Sequence, residues 1–307
     1  MKRKNILIKG LTLMGLWLAA SAQAGVNDFC AYLHQAGSLQ QEPEVCSNFV
    51  PVEHKSLPVS KSVRGGSVAT SYIYESRSTD TMSTHPVDDF STQNTLGVVA
   101  SDIFAMAFDE NGNVLYGLEN INKNLVSIDQ SNGALNIIGP LTNVPAPDTV
   151  TGLAIGPDGK CYATSTDGTT TTLYTCDLVT GELTVVGSQT TTPLLIAITS
   201  DCNGTLYGHD IGDDNIYTID PTSGAATVVG PTGLNANFAQ DITYDREDQR
   251  MYGYIYTGGG TNTYGTIDVC TGAVTALAVD NPLGEHYGAS KTSCALTDII
   301  FRGNFDC

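Results

Sequence analysis

The densest group of side chains that could do chemistry is the acidic stretch Asp210-Ile-Gly-Asp213-Asp214-Asn215. Carboxylate and amide oxygens are the ligands that Ca²⁺ prefers, and the ion takes about six to eight of them. Asp210, Asp213 and Asp214 are therefore predicted metal ligands, with calcium as the candidate ion. Clusters of Asp and Asn are also common turn formers, so a structural role in a loop is the alternative.

Other oxygen-bearing side chains occur in loops that we expect on the same face of the fold. The predicted ligand-face residues are Glu119, Asn120, Asn122, Asp167, Asp210, Asp213, Asp214 and Asn262. Paired carboxylates could also hydrolyse glycosides, because their separation depends on folding and not on sequence spacing. A hydrolase or lyase therefore stays open as the alternative to a binding function.

No familiar catalytic motif accompanies these acids. The sequence contains no nucleophile elbow, H-E-x-x-H, P-loop or dinucleotide-binding glycine fingerprint. His209 ends a predicted strand next to Asp210, and we interpret the two as a partly exposed polar pair. The run Gly258-Gly-Gly260 has no following helix to receive a phosphate and is interpreted as a flexible turn. No catalytic residue is therefore assigned.

The charge balance excludes two classes of partner. The 307 residues include 14 Lys and Arg against 32 Asp and Glu, which gives a formal charge of −18. Phosphate backbones and anionic membrane surfaces attract basic proteins, so nucleic acid and anionic membranes are excluded as partners. With 41% hydrophobic and 15% charged residues, the chain is also too apolar for a disordered protein.

Four segments of the chain repeat one pattern. Their marker tyrosines Tyr116, Tyr162, Tyr207 and Tyr252 lie 46, 45 and 45 residues apart. Each segment reads as four short strands, A to D, joined by turns rich in Asp, Asn and Gly. This period and strand count are typical of β-propeller blades, which must stack because one blade cannot bury both faces of its sheet.

A fifth, degenerate unit precedes these four around Tyr72-Ile-Tyr74. It lacks a strand A, and the segment Thr297-Asp-Ile-Ile-Phe301 near the end of the chain resembles one. We therefore predict an all-β fold, a five-bladed β-propeller closed by the C-terminal strand, because closure removes two exposed sheet edges. Six blades are the alternative if residues 25–65 supply further strands.

Three acidic residues recur at one position of the repeat. Asp102, Asp241 and Asp298 begin copies of strand A, where they are expected to point toward the axis of the ring or to hold the preceding turn. Recurrence at one position favours a structural role over catalysis.

The units Asp-x-x-Gly-x-Leu-Tyr-Gly and Ile-Asp-x-x-Thr/Ser-Gly resemble the repeats of exported bacterial β-propellers. These include surface-layer-type and quinoprotein-dehydrogenase-like propellers and families with no assigned activity. The resemblance covers roughly residues 66–301 and implies the fold. It implies no activity, because propellers host many unrelated functions.

The ends of the chain predict its domain organisation and its compartment. Residues 1–24 have a basic start, an apolar run and Ala22-Gln-Ala24 at the end, the pattern of a Sec-type signal peptide. We therefore expect a secreted or periplasmic protein. A Cys-stapled N-terminal segment is predicted at 25–65, the propeller at 66–301 and a short tail at 302–307.

The eight cysteines are even in number and lie in a chain predicted to be exported, which favours disulfides over metal ligation. Cys161 and Cys176 fall on neighbouring strands of one blade, and Cys202 and Cys270 in turns of adjacent blades on one face. The remaining pairs rest on proximity in the sequence. The predicted disulfides are Cys30–Cys46, Cys161–Cys176, Cys202–Cys270 and Cys294–Cys307.

The favoured function is a non-enzymatic binding or interaction module. Its expected ligand is a carbohydrate or a surface protein, recognised through the loops of one face, with Ca²⁺ as the one cofactor considered. The alternative is a hydrolase or lyase with acidic residues at the mouth of the propeller axis. Beyond the signal peptide, no apolar run is long enough to span a membrane.

Overall fold

The computed structural model describes residues 68–76, 79–99, 101–237, 240–280 and 285–294. All of them lie in the unit Gly66–Cys307, the second of two into which the chain divides. The predictions for the signal peptide, the segment 25–65, the strand at 297–301, Asp298 and Cys30–Cys46 fall outside these residues. Within them, no helix is long and apolar enough to cross a membrane.

The described residues form five antiparallel four-stranded sheets, the blades of a five-bladed β-propeller. Blade 1 contains β1 (Thr70–Ser76), β2 (Thr81–Pro86), β3 (Asn94–Val98) and the closing strand β20 (Glu285–Lys291). Blade 2 contains β4 (Ile103–Phe108), β5 (Leu115–Glu119), β6 (Asn124–Ile128) and β7 (Leu135–Pro140). Blade 3 contains β8 (Thr149–Ile155), β9 (Cys161–Thr166), β10 (Thr171–Cys176) and β11 (Leu183–Gln189).

The last two blades follow the same order. Blade 4 contains β12 (Leu195–Ser200), β13 (Leu206–Asp210), β14 (Asn215–Ile219) and β15 (Ala226–Pro231). Blade 5 contains β16 (Asp241–Asp245), β17 (Arg250–Gly258), β18 (Thr261–Ile267) and β19 (Val274–Asp280). The prediction of a five-bladed, all-β ring is thus confirmed.

The inner strands β4, β8, β12, β16 and β20 contact one another around the axis. We call the face at which they begin the upper face and the opposite one the lower face. Because neighbouring strands within a blade are antiparallel, the loops between second and third strands lie on the upper face. The turns after the first and third strands lie on the lower face.

The closing strand is β20, and the prediction that 297–301 would pair with β1 is wrong. The inner strand that pairs with β1 is instead β20, in a register that runs from Thr70 opposite Lys291 to Ser76 opposite Glu285. Its sequence, Glu-His-Tyr-Gly-Ala-Ser-Lys, lacks the run of aliphatic residues found in most inner strands. A search for that apolar pattern therefore passes over β20.

Repeated turns on the lower face explain the Ile-Asp-x-x-Thr/Ser-Gly motif. The Asp177 carboxylate accepts hydrogen bonds from the N–H groups of Val179 at 2.7 Å and Thr180 at 3.1 Å. The same capping occurs at Asp129, Asp220 and Asp268. Each capped turn holds its carbonyl groups in a fixed direction.

These turns dock against glycines in the outer strand of the preceding blade. A Cβ atom on Gly139 of blade 2 would overlap the carbonyl oxygen of Thr180 in blade 3. The equivalent pairs are Gly97 with Asn132, Gly187 with Ser223 and Gly230 with Thr271. Four of the five blade interfaces therefore depend on close backbone approach, which a side chain would prevent.

The interface between blades 5 and 1 is packed differently. The outer strand of blade 5 carries Ala278 opposite Tyr264, at the position that glycine occupies in the other blades. An aromatic cluster fills the interface, with the ring of Phe90 stacked on Tyr264 at a centroid distance of 5.1 Å. Tyr254 donates a hydrogen bond to Nε2 of His85 at 2.8 Å, while Nδ1 of His85 donates to the Pro86 carbonyl at 2.7 Å.

One predicted disulfide is confirmed and two are wrong. Cys161 and Cys176 are directly opposite on β9 and β10 and form a disulfide. Cys202, in the turn after β12, bonds to Cys294, three residues after β20. This bond excludes the predicted pairs Cys202–Cys270 and Cys294–Cys307. The physical reason is that inner strands converge at the axis, so cysteines that follow two of them come together.

We expect Gly139→Ala to lower the free energy of unfolding by about 1–3 kcal/mol, because the added methyl group pushes blade 3 away from blade 2. Urea unfolding would measure the change. Ala278→Gly is the matched control at the equivalent position of blade 5. It should cost only about 0.5–1 kcal/mol, the ordinary cost of glycine in a strand. A Gly139→Ala protein as stable as wild type would contradict the docking role.

Candidate functional site

The three predicted metal ligands hold different parts of the β13–β14 loop. The buried Asp210 carboxylate accepts hydrogen bonds from the N–H groups of Leu194 at 2.9 Å and Gly212 at 2.7 Å. Asp213 is exposed. It accepts a hydrogen bond from the Tyr217 hydroxyl at 2.6 Å, and Oδ1 of Asp214 accepts one from Ala236 N–H at 2.8 Å.

The pKa values of these carboxyl groups move in opposite directions. Burial raises the pKa of Asp210, although hydrogen bonds from Gly212 and Leu194 partly oppose it. Burial also disfavours ionisation of Asp213, but hydrogen bonds from Tyr217 and Asn215 outweigh it and lower the pKa. Asp213 is therefore the carboxylate of this loop that is both ionised and open to solvent.

No group of three or more His, Cys, Asp or Glu side chains suited to a metal ion occurs among the described residues. Asp210 and Asp214 direct their carboxylate oxygens at backbone N–H groups and not at a common point. Calcium binding by the loop stays a prediction. A comparison of melting temperatures with calcium and with chelator would test it.

The other predicted ligand-face residues divide into buried and exposed positions. Glu119 is buried, and its carboxylate accepts hydrogen bonds from Ser101 at 2.8 Å and the Asn124 side chain at 3.1 Å. Asn262 is also buried, and its amide donates to Nδ1 of His286 at 2.6 Å. Both side chains are buried and hydrogen-bonded within the fold.

The remaining members of that set are more accessible. Asn122 and Asp167 are exposed and Asn120 is half-buried. Asn120 donates its N–H to the Asp102 carbonyl at 3.0 Å. The Asp167 carboxylate caps its own turn by accepting the N–H groups of Thr169 and Thr170, both at 2.8 Å. The exposed residues sit on separate loops of the upper face.

His209 is not the partly exposed residue that the sequence suggested. Its side chain has 0% exposure and Asp210 has 1%, and neither ring nitrogen has a hydrogen-bond partner. Burial lowers the pKa of His209 to about 4, with a small opposing influence from Asp213. After β15, Thr232 N–H donates to the Asp214 carbonyl at 2.9 Å and ties this connection to the β13–β14 loop.

The upper part of the central axis is filled by Asp241, which takes the first of the two positions expected for it, facing the axis and not the preceding turn. Its carboxylate accepts N–H groups of Ile242 at 2.9 Å, Gly288 at 3.2 Å and Met106 at 3.3 Å. These donors belong to β16, β20 and β4. Complete burial raises its pKa well above the usual carboxyl range, although the three hydrogen bonds partly oppose the shift.

Arg246 fills the lower part of the axis, and sequence reasoning missed it. Its guanidinium donates to the carbonyls of Asp109, at 3.2 Å, and Ile155, while its N–H donates to Thr292 Oγ1 at 2.9 Å. The cavity lined by Met106, Arg246 and Ser290 has a volume of about 20 Å³. The available signal was that Asp245-Arg-Glu-Asp-Gln lacks the glycine that ends the equivalent turns at Gly112, Gly159 and Gly204.

Five similar blades around a shared axis make this chain a β-propeller repeat protein. The chain belongs to the family described as "Repeat of unknown function" (DUF6923), whose model matches residues 79–286. No curated protein matches the chain.

Several solved structures resemble the chain at low sequence identity. A nidogen/laminin complex structure shares 13% identity over 73% of this chain and 100% of that chain, with a TM-score of 0.49. A protein of unknown function from Bacteroides thetaiotaomicron shares 16% over 71% and 62%, with a TM-score of 0.47. TolB from Acinetobacter baumannii shares 13% over 73% and 67%, with a TM-score of 0.43. These similarities assign no function to this chain.

We expect His209→Phe to flatten the pH dependence of stability. Folding lowers the His209 pKa from 6.5 to about 4, so the unfolded state binds a proton first as the pH falls. The free energy of unfolding therefore keeps its full value above about pH 6.5 as far as His209 is concerned. It falls by about 3 kcal/mol as the pH is lowered toward 4.

Urea unfolding of wild type and variant between pH 4 and 7 would measure this difference, and the comparison removes contributions from other titrating groups. At pH 7 the variant should gain about 1–3 kcal/mol, because Phe leaves no buried nitrogen without a partner. The control His209→Gln should flatten the profile without that gain. Parallel profiles for wild type and His209→Phe would contradict the prediction.

Proposed function

We propose that the protein is an exported β-propeller that acts as a non-enzymatic binding module for an extracellular protein or a carbohydrate. The observation that carries this proposal is the closure of the axis by Asp241 and Arg246, whose polar groups bond to neighbouring inner strands. The remaining cavity of about 20 Å³ has room for a water molecule, whereas small-molecule sites are typically about 300–1,000 Å³.

Export is supported by the cysteine chemistry. Two disulfides join described residues, Cys161–Cys176 and Cys202–Cys294. Disulfides persist in oxidising compartments and are rare in the cytosol. They agree with the secreted or periplasmic location expected from the signal peptide pattern at residues 1–24.

The upper face is the proposed binding surface. Its loops expose the side chains of Asn122, Asp167 and Asp213, and Ile121 beside them is 68% exposed. A large apolar side chain at a loop tip has no role in the core, and it can pack against a partner. Loops held by a rigid ring are a common way to display such contacts.

The chemistry of the surface favours a protein over a carbohydrate as ligand. Sugar-binding sites commonly use aromatic rings for stacking, yet no Tyr or Phe of the described residues is exposed. The net charge of −18 favours a partner with a basic surface, because complementary charge speeds encounter. We therefore place a basic extracellular protein ahead of a glycan.

Two substitutions on the upper face test this proposal. Ile121→Asp and Asp213→Lys should each weaken binding at least about tenfold, the loss of about 1.4 kcal/mol expected for a contributing contact. Val179→Asp on the lower face is the matched control, since Val179 is 81% exposed and lies in a turn between β10 and β11. Binding would be measured by surface plasmon resonance with ligands from arrays of glycans and of extracellular proteins.

The results separate the binding module from the hydrolase or lyase alternative. Equal loss with Val179→Asp, or no ligand on either array, would contradict the proposal. The enzyme alternative would be favoured if the wild-type protein turned over glycosides, lactones or polyuronates and Asp213→Ala abolished that turnover. Asp241→Ala is not a sufficient control alone, because it leaves three N–H groups without an acceptor and should lower the melting temperature.

A further inference from the structure

Blade 1 is the one blade in the ring whose strands come from distant parts of the described chain. Its strands β1 to β3 are the first, and its inner strand β20 is the last. Pairing between β1 and β20 covers seven residues on each strand. Closure of the ring therefore depends on a contact between residues more than two hundred positions apart, without a hairpin turn to hold them together.

Apolar burial holds β20 less firmly than the inner strands β4, β8 and β12. Tyr287 is its one large apolar side chain, and the buried residues also include Glu285, His286 and Ser290. By contrast, β12 buries Leu195, Ile196 and Ile198. Because the hydrophobic contribution follows the apolar area removed from water, β20 needs other attachments.

The Cys202–Cys294 disulfide supplies a covalent attachment at the lower end of β20. Cys202 follows β12 of blade 4, and Cys294 follows β20 by three residues. The loop between the two cysteines spans 92 positions and contains all of blade 5. The bond therefore fixes the end of β20 on the lower face, whether or not β20 is paired with β1.

Neither cysteine of this disulfide is fully buried. Cys202 and Cys294 are both half-buried, whereas in the other disulfide of the described residues Cys176 is half-buried and Cys161 is buried. Attack by a thiolate on a disulfide requires access to one sulfur. We therefore expect a small dithiol to reach this bond through the partly exposed cysteines.

We propose that the Cys202–Cys294 disulfide is a redox-controlled latch for ring closure. A dithiol reductant breaks the S–S bond: each cysteine sulfur gains one electron and one proton, and the dithiol is oxidised to its own disulfide. The lower end of β20 is then released, and β20 separates from β1 while blades 2 to 4 stay folded. The hydrogen-bonding edge of β1 becomes exposed to solvent.

Hydrogen exchange of the full chain, followed by mass spectrometry, tests the latch. In the double variant Cys202→Ser with Cys294→Ser, peptides covering 70–76 and 285–291 should exchange about tenfold faster or more than in wild type. Peptides covering β8 to β10 of blade 3 should keep their wild-type rates. The matched control, Cys161→Ser with Cys176→Ser, removes a disulfide within one blade and should leave β1 and β20 protected.

A dithiol titration of the folded wild-type protein gives an independent measurement if the variant does not accumulate. The same local increase in exchange at β1 and β20 should appear as Cys202 and Cys294 become reactive to a thiol-specific label. Unchanged exchange at both strands after reduction would overturn the proposal. An equal increase in every blade would also overturn it, because that result means general destabilisation and not a latch.

Discussion

Each inner strand of the ring has one edge without a neighbouring strand, and this constraint organises the centre of the protein. N–H and C=O groups on that edge face a narrow axis and must find partners there. Asp241 accepts N–H groups from β4, β16 and β20, and Arg246 donates to carbonyls that follow β4 and end β8. Both residues belong to blade 5, so one blade supplies the groups that close the axis at both ends.

Away from the axis, neighbouring blades contact each other in two different ways. Capped turns place a backbone carbonyl against a glycine of the preceding blade at four interfaces, and the fifth interface substitutes the aromatic cluster around Phe90, Tyr254 and Tyr264. Where two backbones approach closely, there is no room for a Cβ atom on the glycine. The aromatic interface, by contrast, accommodates the side chain of Ala278. The interface between blades 5 and 1 is therefore held by side-chain burial and by the pairing of β1 with β20.

The features that could be predicted from the sequence are those that recur in several copies of the repeat. The tyrosine period gives the number of complete blades, and the alignment of copies places Cys161 opposite Cys176. The strand β20 and the Cys202–Cys294 bond occur once, and both depend on convergence at the axis, which spacing along the chain does not encode. His209 was misjudged for a similar reason: its complete burial depends on packing in the folded ring, which the local strand pattern does not encode.

The departures from the repeat also bear on function. Asp241, Arg246 and the polar strand β20 break the pattern, but each directs its groups inward and is explained by closure of the ring. Ile121, in an exposed upper loop, has no such internal role, and Asp213 meets solvent in another upper loop. For the proposed binding function, loop tips that lie apart around the ring would suit a partner broad enough to touch several of them together.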